Sequence, residues 1–135
     1  MSAILLSANS ACPCGTGRAY GVCCGLWHAG LRNHRFAPTP ELLMRSRYAA
    51  YVLELEDYLL QTWYVSSAPQ GIDFLNIRWM GLEIHRAHTQ GASGLVEFVA
   101  KYKERGRFKR LRELSHFTLE QGQWKYLHGE IQDED

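Results

Sequence analysis

The feature that most constrains this chain is the stretch CPCGTGRAYGVCCG, residues 12–25, which contains all four cysteines of a 135-residue protein. The cysteines form two close pairs separated by eight residues. A glycine-rich segment of this length cannot bury a core of its own, so another interaction must hold it folded. Two short turns that each supply two thiolates can build the tetrahedral site that Zn²⁺ prefers. We therefore predict a zinc site whose ligands are Cys12, Cys14, Cys23 and Cys24.

Other interpretations of the cysteine cluster stay open at this stage. The thiols could form two disulfides or remain reduced without a partner, and His28 could replace Cys24 as a zinc ligand. The apolar run at residues 4–6 follows no Lys or Arg, whereas an export signal needs a cationic start and about 7–15 apolar residues. No window approaches the roughly 20 apolar residues that cross a bilayer. We therefore predict a cytoplasmic protein without a membrane partner, a compartment in which disulfides are rare.

The segment from residue 39 to residue 63 has the pattern of two helices. Thr39 is suited to cap the first, because Pro40 fits the first helical position and Glu41 lies near the positive end of the helix dipole. Apolar and small residues then recur at spacings of three and four, which predicts one buried helical face. Asp57 is expected to cap a short second helix that runs to Trp63.

The remainder of the chain has the pattern of a sheet. Four segments rich in β-branched and aromatic residues follow residue 76, and the short glycine-containing sequences QGAS, ERGR and EQGQ separate them. Such short connections predict an antiparallel meander. Helices followed by a sheet indicate an α+β domain in which the helices cover one concave face. We therefore divide the chain into a zinc knuckle at residues 1–30 and a second domain at residues 31–135.

The cysteine stretch closely resembles the SEC-C motif, a small zinc-binding element named after the tail of the preprotein translocase ATPase. In that motif the ligands occupy the positions of the four cysteines here. The blocks LMRSRYAAYVL, YLLQTW, WMGLEI, VEFVAKY, RELSHF and GQWKYLHGE resemble YchJ-type bacterial proteins, which join a SEC-C motif to an NTF2-like domain. The resemblance implies a cone of N-terminal helices packed on a curved antiparallel sheet.

NTF2-like cones often contain a pocket, so the resemblance also implies a candidate binding site. We expect Arg45, Trp63, Glu113 and His116 in this pocket, with Glu97 also facing inward and Trp79 and Tyr102 as further walls. Glu113 lies on the same strand face as Leu111 and Phe117, because alternate residues of a strand share a face. This position predicts a buried carboxylate. A buried carboxylate needs a partner, and Arg45 is the expected one. The favoured interpretation is an ion pair that fixes helix to sheet, and the alternative is an acid–base site.

Three functions compete at this stage. The favoured one is a non-catalytic interaction protein whose knuckle presents Arg18, Tyr20 and Trp27 to a protein partner. By resemblance, that partner is a chaperone, a translocation component or the ribosome. The alternative is an enzyme or small-molecule binder that uses the NTF2-like pocket. Nucleic-acid binding rests only on the seven Lys and Arg at residues 101–112, because the net charge is +1 and a solvated hairpin explains the run.

Overall fold

The computed structural model describes residues 6–132. Residues 1–5 of the predicted knuckle and residues 133–135 of the predicted second domain lie outside the described residues. Short 3-10 turns occur at Tyr20–Val22 and Leu31–Asn33. The helices are α1 (Cys24–Gly30), α2 (Pro40–Leu53) and α3 (Glu56–Gln61). The strands are β1 (Ile77–Gln90), β2 (Ser93–Glu104), β3 (Arg107–Glu120) and β4 (Gln123–Gln132). The order of helices followed by strands confirms the predicted α+β class.

The start of α2 was predicted correctly and the start of α3 was not. The Thr39 side chain accepts a hydrogen bond from the Leu42 N–H at 3.1 Å, which is the expected N-cap. Helix α3 begins at Glu56, one residue before the predicted cap Asp57. The left-handed residue Glu54 ends α2 and turns the chain directly into α3, where Leu55 donates to the Ala50 carbonyl at 2.8 Å. The chain therefore enters α3 without a side-chain cap.

The four strands form one antiparallel sheet in the order β1-β2-β3-β4, which confirms the predicted meander. The turns at residues 105–106 and 121–122 both have two positive φ angles, the type I′ geometry that matches strand twist. Register shifts interrupt β1 after Trp79 and after Ile84, and the pairing of β3 with β4 shifts after His116. Such bulges bend a sheet, and here they help form the concave face.

Helix α2 lies on this concave face and contacts β1, β2 and β4. Its buried residues join those of β2 and β3 in one hydrophobic cluster, which also contains all four cysteines. The knuckle and the sheet domain therefore share a core, and the boundary at residue 30 stays a prediction. Within residues 6–132, no helix is long and apolar enough to cross a bilayer.

Candidate metal centre and interior cavity

The four cysteines converge on one point. Their Sγ atoms all lie within 4.8 Å of one another, and the sulfurs of Cys14 and Cys23 are 3.6 Å apart. All four side chains are buried free thiols. A tetrahedral zinc ion with bonds of about 2.3 Å requires sulfur–sulfur distances of about 3.8 Å. The donor set and its spacing therefore fit a four-thiolate metal ion, and the disulfide interpretation does not match these thiols.

His28 has other partners and does not replace Cys24. Its Nε2–H donates to the Ser46 carbonyl at 2.8 Å, so Nδ1 of the neutral ring accepts from the Tyr20 hydroxyl at 2.6 Å. Burial lowers the pKa of His28, which favours this neutral form. Cys24 is instead one of the four converging sulfurs. The donors that converge are therefore the four cysteines, without His28.

The immediate surroundings of the sulfurs stabilise a thiolate at Cys14, whereas hydrogen bonds within the cluster raise the pKa of the Cys12 and Cys24 thiols. The hydroxyl of Thr16 lies 3.1 Å from the Cys23 sulfur and 3.7 Å from the Cys14 sulfur. Hydrogen bonds from Cys12 and Cys24 lower the pKa of the Cys14 thiol, which makes it the first to deprotonate. Four thiolates satisfy a tetrahedral ion, so this arrangement could hold a metal with no position left open for substrate.

Backbone hydrogen bonds within the knuckle close the chain around the sulfurs. The Cys12 N–H donates to the Arg18 carbonyl at 2.9 Å, and Ala11 and Ala19 form an isolated bridge. A Cβ at Gly25 would lie 2.7 Å from the Tyr20 carbonyl oxygen, so only glycine allows α1 to start this close to the preceding turn. This close approach explains why a glycine follows the last cysteine.

Arg45 lies against the knuckle and does not reach the predicted pocket. Its Nη1 donates to the Cys14 carbonyl at 2.8 Å, and its Nε forms an ion pair with Glu41 at 3.1 Å. The predicted pair between Arg45 and Glu113 is therefore wrong. Residues two apart on a helix point in directions about 200° apart, and the arginine that faces the sheet is Arg47.

A cavity of about 250 Å³ separates α2 from the concave face of the sheet. Trp63, Glu113 and Trp79 line it, as predicted. Tyr102 is not part of the wall but packs against Trp79, with ring centroids 5.4 Å apart. Its walls come from α2, all four strands and the segment after α3: Met44, Arg47, Tyr48, Tyr51, Trp63, Trp79, Phe98, Ala100, Leu111, Glu113, Ser115 and Tyr126. The cone is therefore open inside, with a few polar groups among aromatic walls.

Arg47 is the cation of this cavity and is 3% exposed. Its Nη1 donates to the Leu59 carbonyl at 2.8 Å and to Thr62 Oγ1 at 2.7 Å. Its Cζ lies 4.9 Å from the ring centre of Trp63 and 4.6 Å from that of Tyr126. Burial lowers the pKa of Arg47, while the aromatic faces attract its charge.

Glu113 is the carboxylate of the cavity. Its Oε2 accepts from Ser115 Oγ at 2.6 Å and from the Tyr126 hydroxyl at 3.0 Å. Burial raises the pKa of Tyr126, with the charge of Glu113 acting in the same direction, so the phenol remains a donor. Gly129 leaves the space that this carboxylate occupies, since a Cβ there would overlap it.

His116 and Glu97 lie on the opposite face of the sheet from Glu113, so placing them in the pocket was wrong. His116 pairs with Glu130 and stacks on His128 with ring centroids 4.6 Å apart. Glu97 pairs with Arg112, at 3.1 Å from Glu97 Oε2 to Nη2. Successive residues of one strand alternate between faces, so His116 lies opposite Glu113 on β3 and Glu97 lies opposite the cavity-lining Phe98 on β2.

The knuckle surface also differs from the prediction. Tyr20 and Trp27 are partly buried and pack against the shared core, whereas Arg18 is exposed as expected. The turn at residues 15–18 is exposed with it, and Val22 is 53% exposed. The surface available to a partner is therefore smaller and less aromatic than the sequence indicates.

The basic run at residues 101–112 follows the hairpin between β2 and β3. Lys101 pairs with Glu83 at 2.6 Å, and Lys109 pairs with Glu104 at 3.0 Å. The ammonium of Lys103 lies over the ring of Phe108 at 5.2 Å. Acidic neighbours thus interrupt the positive charge, which supports the solvated-hairpin interpretation.

Sequence reasoning missed Arg47, Tyr126 and Thr16. One signal was available, because Arg47 interrupts the apolar stripe of Met44 and Tyr51 at helical spacing. Tyr126 joins the cavity through an isolated bridge to Trp63, in which the Tyr64 N–H donates to the Tyr126 carbonyl at 2.8 Å. Such long-range pairing has no local signature.

Comparisons with known proteins give the same two-part organisation. Residues 9–26 match the SEC-C motif, and residues 39–129 match the profile described as YchJ, middle NTF2-like domain. A UPF0225 protein of Bordetella parapertussis is 46% identical over 93% of this chain and 96% of its own length. A UPF0225 protein of Chromobacterium violaceum is 43% identical over 90% of this chain and 93% of its own.

Solved structures of SEC-C motif containing proteins have the same fold. The solution structure of one from Rhodopseudomonas palustris superposes with a TM-score of 0.81 at 32% identity, covering 92% of this chain and all of that one. The crystal structure of another, from Psychrobacter arcticus, has a TM-score of 0.77 at 26% identity and covers 95% of this chain and 86% of that one. From the matched profiles and relatives together, this chain belongs to the UPF0225 family, the YchJ-type proteins that join a SEC-C motif to an NTF2-like domain.

Proposed function

We propose that this protein is a zinc-stabilised binding protein that takes a small molecule into the cavity of its NTF2-like domain. The cavity of about 250 Å³, with a buried arginine and a carboxylate among aromatic walls, carries this proposal. Ligand sites are typically apolar concavities with a few placed polar groups. Binding without turnover is favoured because His116, one of the polar residues expected in the pocket, lies on the other face of the sheet.

The test of small-molecule binding fills the cavity. Ala100 is buried and lines it, so Ala100→Met places extra side-chain atoms inside. Ligand-observed NMR with a fragment library should detect compounds that bind the natural protein and not this variant. Ala87→Met, at an exposed position of β1, is the matched control and should retain binding. Absence of binding by fragments of any charge, or equal binding to the filled variant, would contradict the proposal.

Zinc is proposed as the resident ion because four soft sulfur donors at this spacing suit it. The closed donor set gives the ion a structural role and no catalytic one. Metal analysis of purified protein should find one zinc per chain, and Cys14→Ser should lower that content. Substitution by Co²⁺ should give the absorption of a tetrahedral thiolate site, and a spectrum of octahedral oxygen ligation would contradict the assignment. Cysteines that serve as metal ligands and form no disulfides also support a reducing, cytoplasmic location.

A contact between the knuckle and a protein partner is the second candidate function. The exposed turn at residues 15–18 and the adjoining Val22 support it, and the ribosome is the partner tested first. The protein should cosediment with purified ribosomes, and the double change Arg18→Glu with Val22→Asp should abolish this. Arg32→Glu, at another exposed position, should not. This surface would be excluded as a ribosome contact if the natural protein does not cosediment, or if the variant with Arg18→Glu and Val22→Asp still does.

A further inference from the structure

We propose that the ligand of the cavity is a small monocarboxylate with a flat, apolar body, and that its carboxylate binds Arg47. This inference rests on the proposed function and adds a ligand class to it. It follows from the volume of the cavity, the buried guanidinium of Arg47, which forms no ion pair within 4.0 Å, the aromatic faces that orient it and the carboxylate of Glu113 in the same cavity. Each of these observations restricts a different property of the ligand.

The volume of the cavity sets the size of the ligand. An apolar cavity of about 150 Å³ holds a benzene molecule, and this one measures about 250 Å³. It therefore has room for a six-membered ring with a substituent of a few atoms. Trp79 and Tyr48 form part of the wall with ring centroids 5.9 Å apart in an edge-to-face arrangement. Flat faces of this kind suit a ring or another planar apolar group.

The charge of Arg47 sets the sign of the ligand. Its Nη1 donates to two neutral acceptors, the Leu59 carbonyl and Thr62 Oγ1, and the Tyr51 hydroxyl is a further neutral neighbour. Among residues 6–132, no carboxylate lies within 4.0 Å of this guanidinium, whereas Arg45, Arg86 and Arg112 each form an ion pair. Glu113 lies in the same cavity and attracts Arg47 without forming an ion pair with it, so donors of the guanidinium remain for an anion. A guanidinium also offers a planar fork of donors that fits a carboxylate.

The aromatic neighbours of Arg47 hold this donor fork in place. Trp63 and Tyr126 meet nearly edge to face, with ring centroids 5.0 Å apart and planes at 77°. The guanidinium contacts both rings, and its Nη1 is fixed by the end of α3. Orientation before binding lowers the entropic cost of capturing the ligand. The site is therefore built before the anion arrives.

Glu113 limits the ligand to a single negative charge. It lines the same cavity, and the hydrogen bonds from Ser115 and Tyr126 both end on its Oε2. A second negative group on the ligand would approach this carboxylate in a largely apolar space, where repulsion between like charges is strong. Dicarboxylates and phosphate esters should therefore bind less well than monocarboxylates of the same size.

Three probes of nearly equal shape test the ligand class: benzoate, its neutral amide benzamide, and the cation benzylamine. Titration calorimetry and ligand-observed NMR would measure each dissociation constant against the natural protein. Because hydrogen bonds to a charged partner contribute more than neutral ones, benzoate should bind about ten- to a hundredfold more tightly than benzamide. Benzylamine should bind most weakly. Binding of benzoate should also disappear in Ala100→Met.

Two variants change the affinity for benzoate in opposite directions. Arg47→Met removes the cation and should weaken benzoate binding about tenfold or more, with little effect on benzamide. Glu113→Gln keeps the acceptor for Ser115 and Tyr126, removes the negative charge, and should tighten benzoate binding. Arg32→Met, at an exposed arginine, is the control and should leave both affinities unchanged. Glu113→Gln decides the matter even where Arg47→Met fails to fold.

The outcomes separate this inference from the proposed function. If benzamide or benzylamine binds in the cavity and benzoate does not, small-molecule binding stands and the monocarboxylate class is wrong. If benzoate binds equally to the natural protein and Glu113→Gln, Glu113 does not sense the anion and the inference is overturned. If neither these probes nor any library fragment binds, both proposals fail. Tighter benzoate binding by Glu113→Gln, with loss in Ala100→Met, supports both.

Discussion

The Glu113 carboxylate occupies its position because Gly129, on the neighbouring strand, has no Cβ atom. A Cβ at Gly129 would overlap the Glu113 carboxylate. Gly129→Ala should therefore lower the free energy of unfolding by about 1–3 kcal/mol, the usual cost of overpacking. Denaturant unfolding monitored by tryptophan fluorescence would measure it.

A double-mutant cycle provides the control for this prediction. In the background of Glu113→Ala the obstructing carboxylate is gone, so Gly129→Ala should then cost little. Equal losses in the two backgrounds would show that the glycine serves another purpose, such as the twist of β4.

His28 gives a residue-scale prediction about pH. Burial lowers its pKa below the usual value of about 6.5. The unfolded chain then binds a proton at a higher pH than the folded chain, so stability is lost as the pH falls below about 6.5. NMR titration of the ring in zinc-loaded protein should show the neutral Nε2–H form persisting below pH 6.5. Titration at or above pH 6.5 would contradict the hydrogen bonds to Ser46 and Tyr20.

Individual residues were predicted well where their role depends on neighbours in sequence. They were predicted poorly where the role depends on which face of a helix or strand turns toward the core. Thr39 and the four cysteines were identified because a cap and a ligand cluster each leave a short-range signature. Arg45 was placed in the pocket and Arg47 was missed because the buried face of α2 is broad, and its central direction cannot be read without knowing what packs on it. Glu113 and His116 were both placed in the pocket, although strand alternation separates them.

At the scale of elements, α2 connects the metal centre to the cavity. Three consecutive residues serve three neighbours: Arg45 holds the Cys14 carbonyl, Ser46 accepts from His28, and Arg47 enters the cavity. A helix turns by about 100° per residue, so one short segment can face both sides. Helix α2 is thus the shared wall of both sites.

Arg45→Ala tests this role of α2. Loss of a charged donor to the Cys14 carbonyl should cost about 1–3 kcal/mol of unfolding free energy and should speed zinc release to a colorimetric chelator. Glu41→Ala is the matched control, since it removes only the exposed i,i+4 pair with Arg45, for which about 0.5 kcal/mol is expected. Zinc release at the same rate in both variants would mean that Arg45 does not secure the knuckle.

Element types and pairings were predictable because they repeat a period. Alternation gave the buried face of β2, and short glycine turns gave the meander order. The isolated bridge from Trp63 to Tyr126 was not predictable, because it joins positions 63 residues apart through only two hydrogen bonds. That bridge brings together the two rings around Arg47, so the least predictable contact builds the binding site.

At the scale of the whole molecule, the knuckle and the NTF2-like domain depend on each other. The four cysteines belong to the same buried cluster as Leu43 and Met44 of α2, and Tyr20 and Trp27 pack against it. Sequence alone favours a separable knuckle, since its composition differs so sharply from the rest. The structure shows a shared core, and the consequence is that a metal ion bound outside the sheet should affect the stability of the sheet.

Removal of zinc tests this coupling. Binding energy on the order of 10 kcal/mol maintains structural sites of this type, so a strong chelator should unfold residues 11–28. Because these residues cover α2, hydrogen exchange should also speed up in Pro40–Leu53, and the thermal midpoint of the whole domain should fall. Zinc added back should restore both, which separates metal loss from damage by the chelator. A metal-free protein with an unchanged midpoint and full protection in α2 would show that the NTF2-like domain stands without its knuckle.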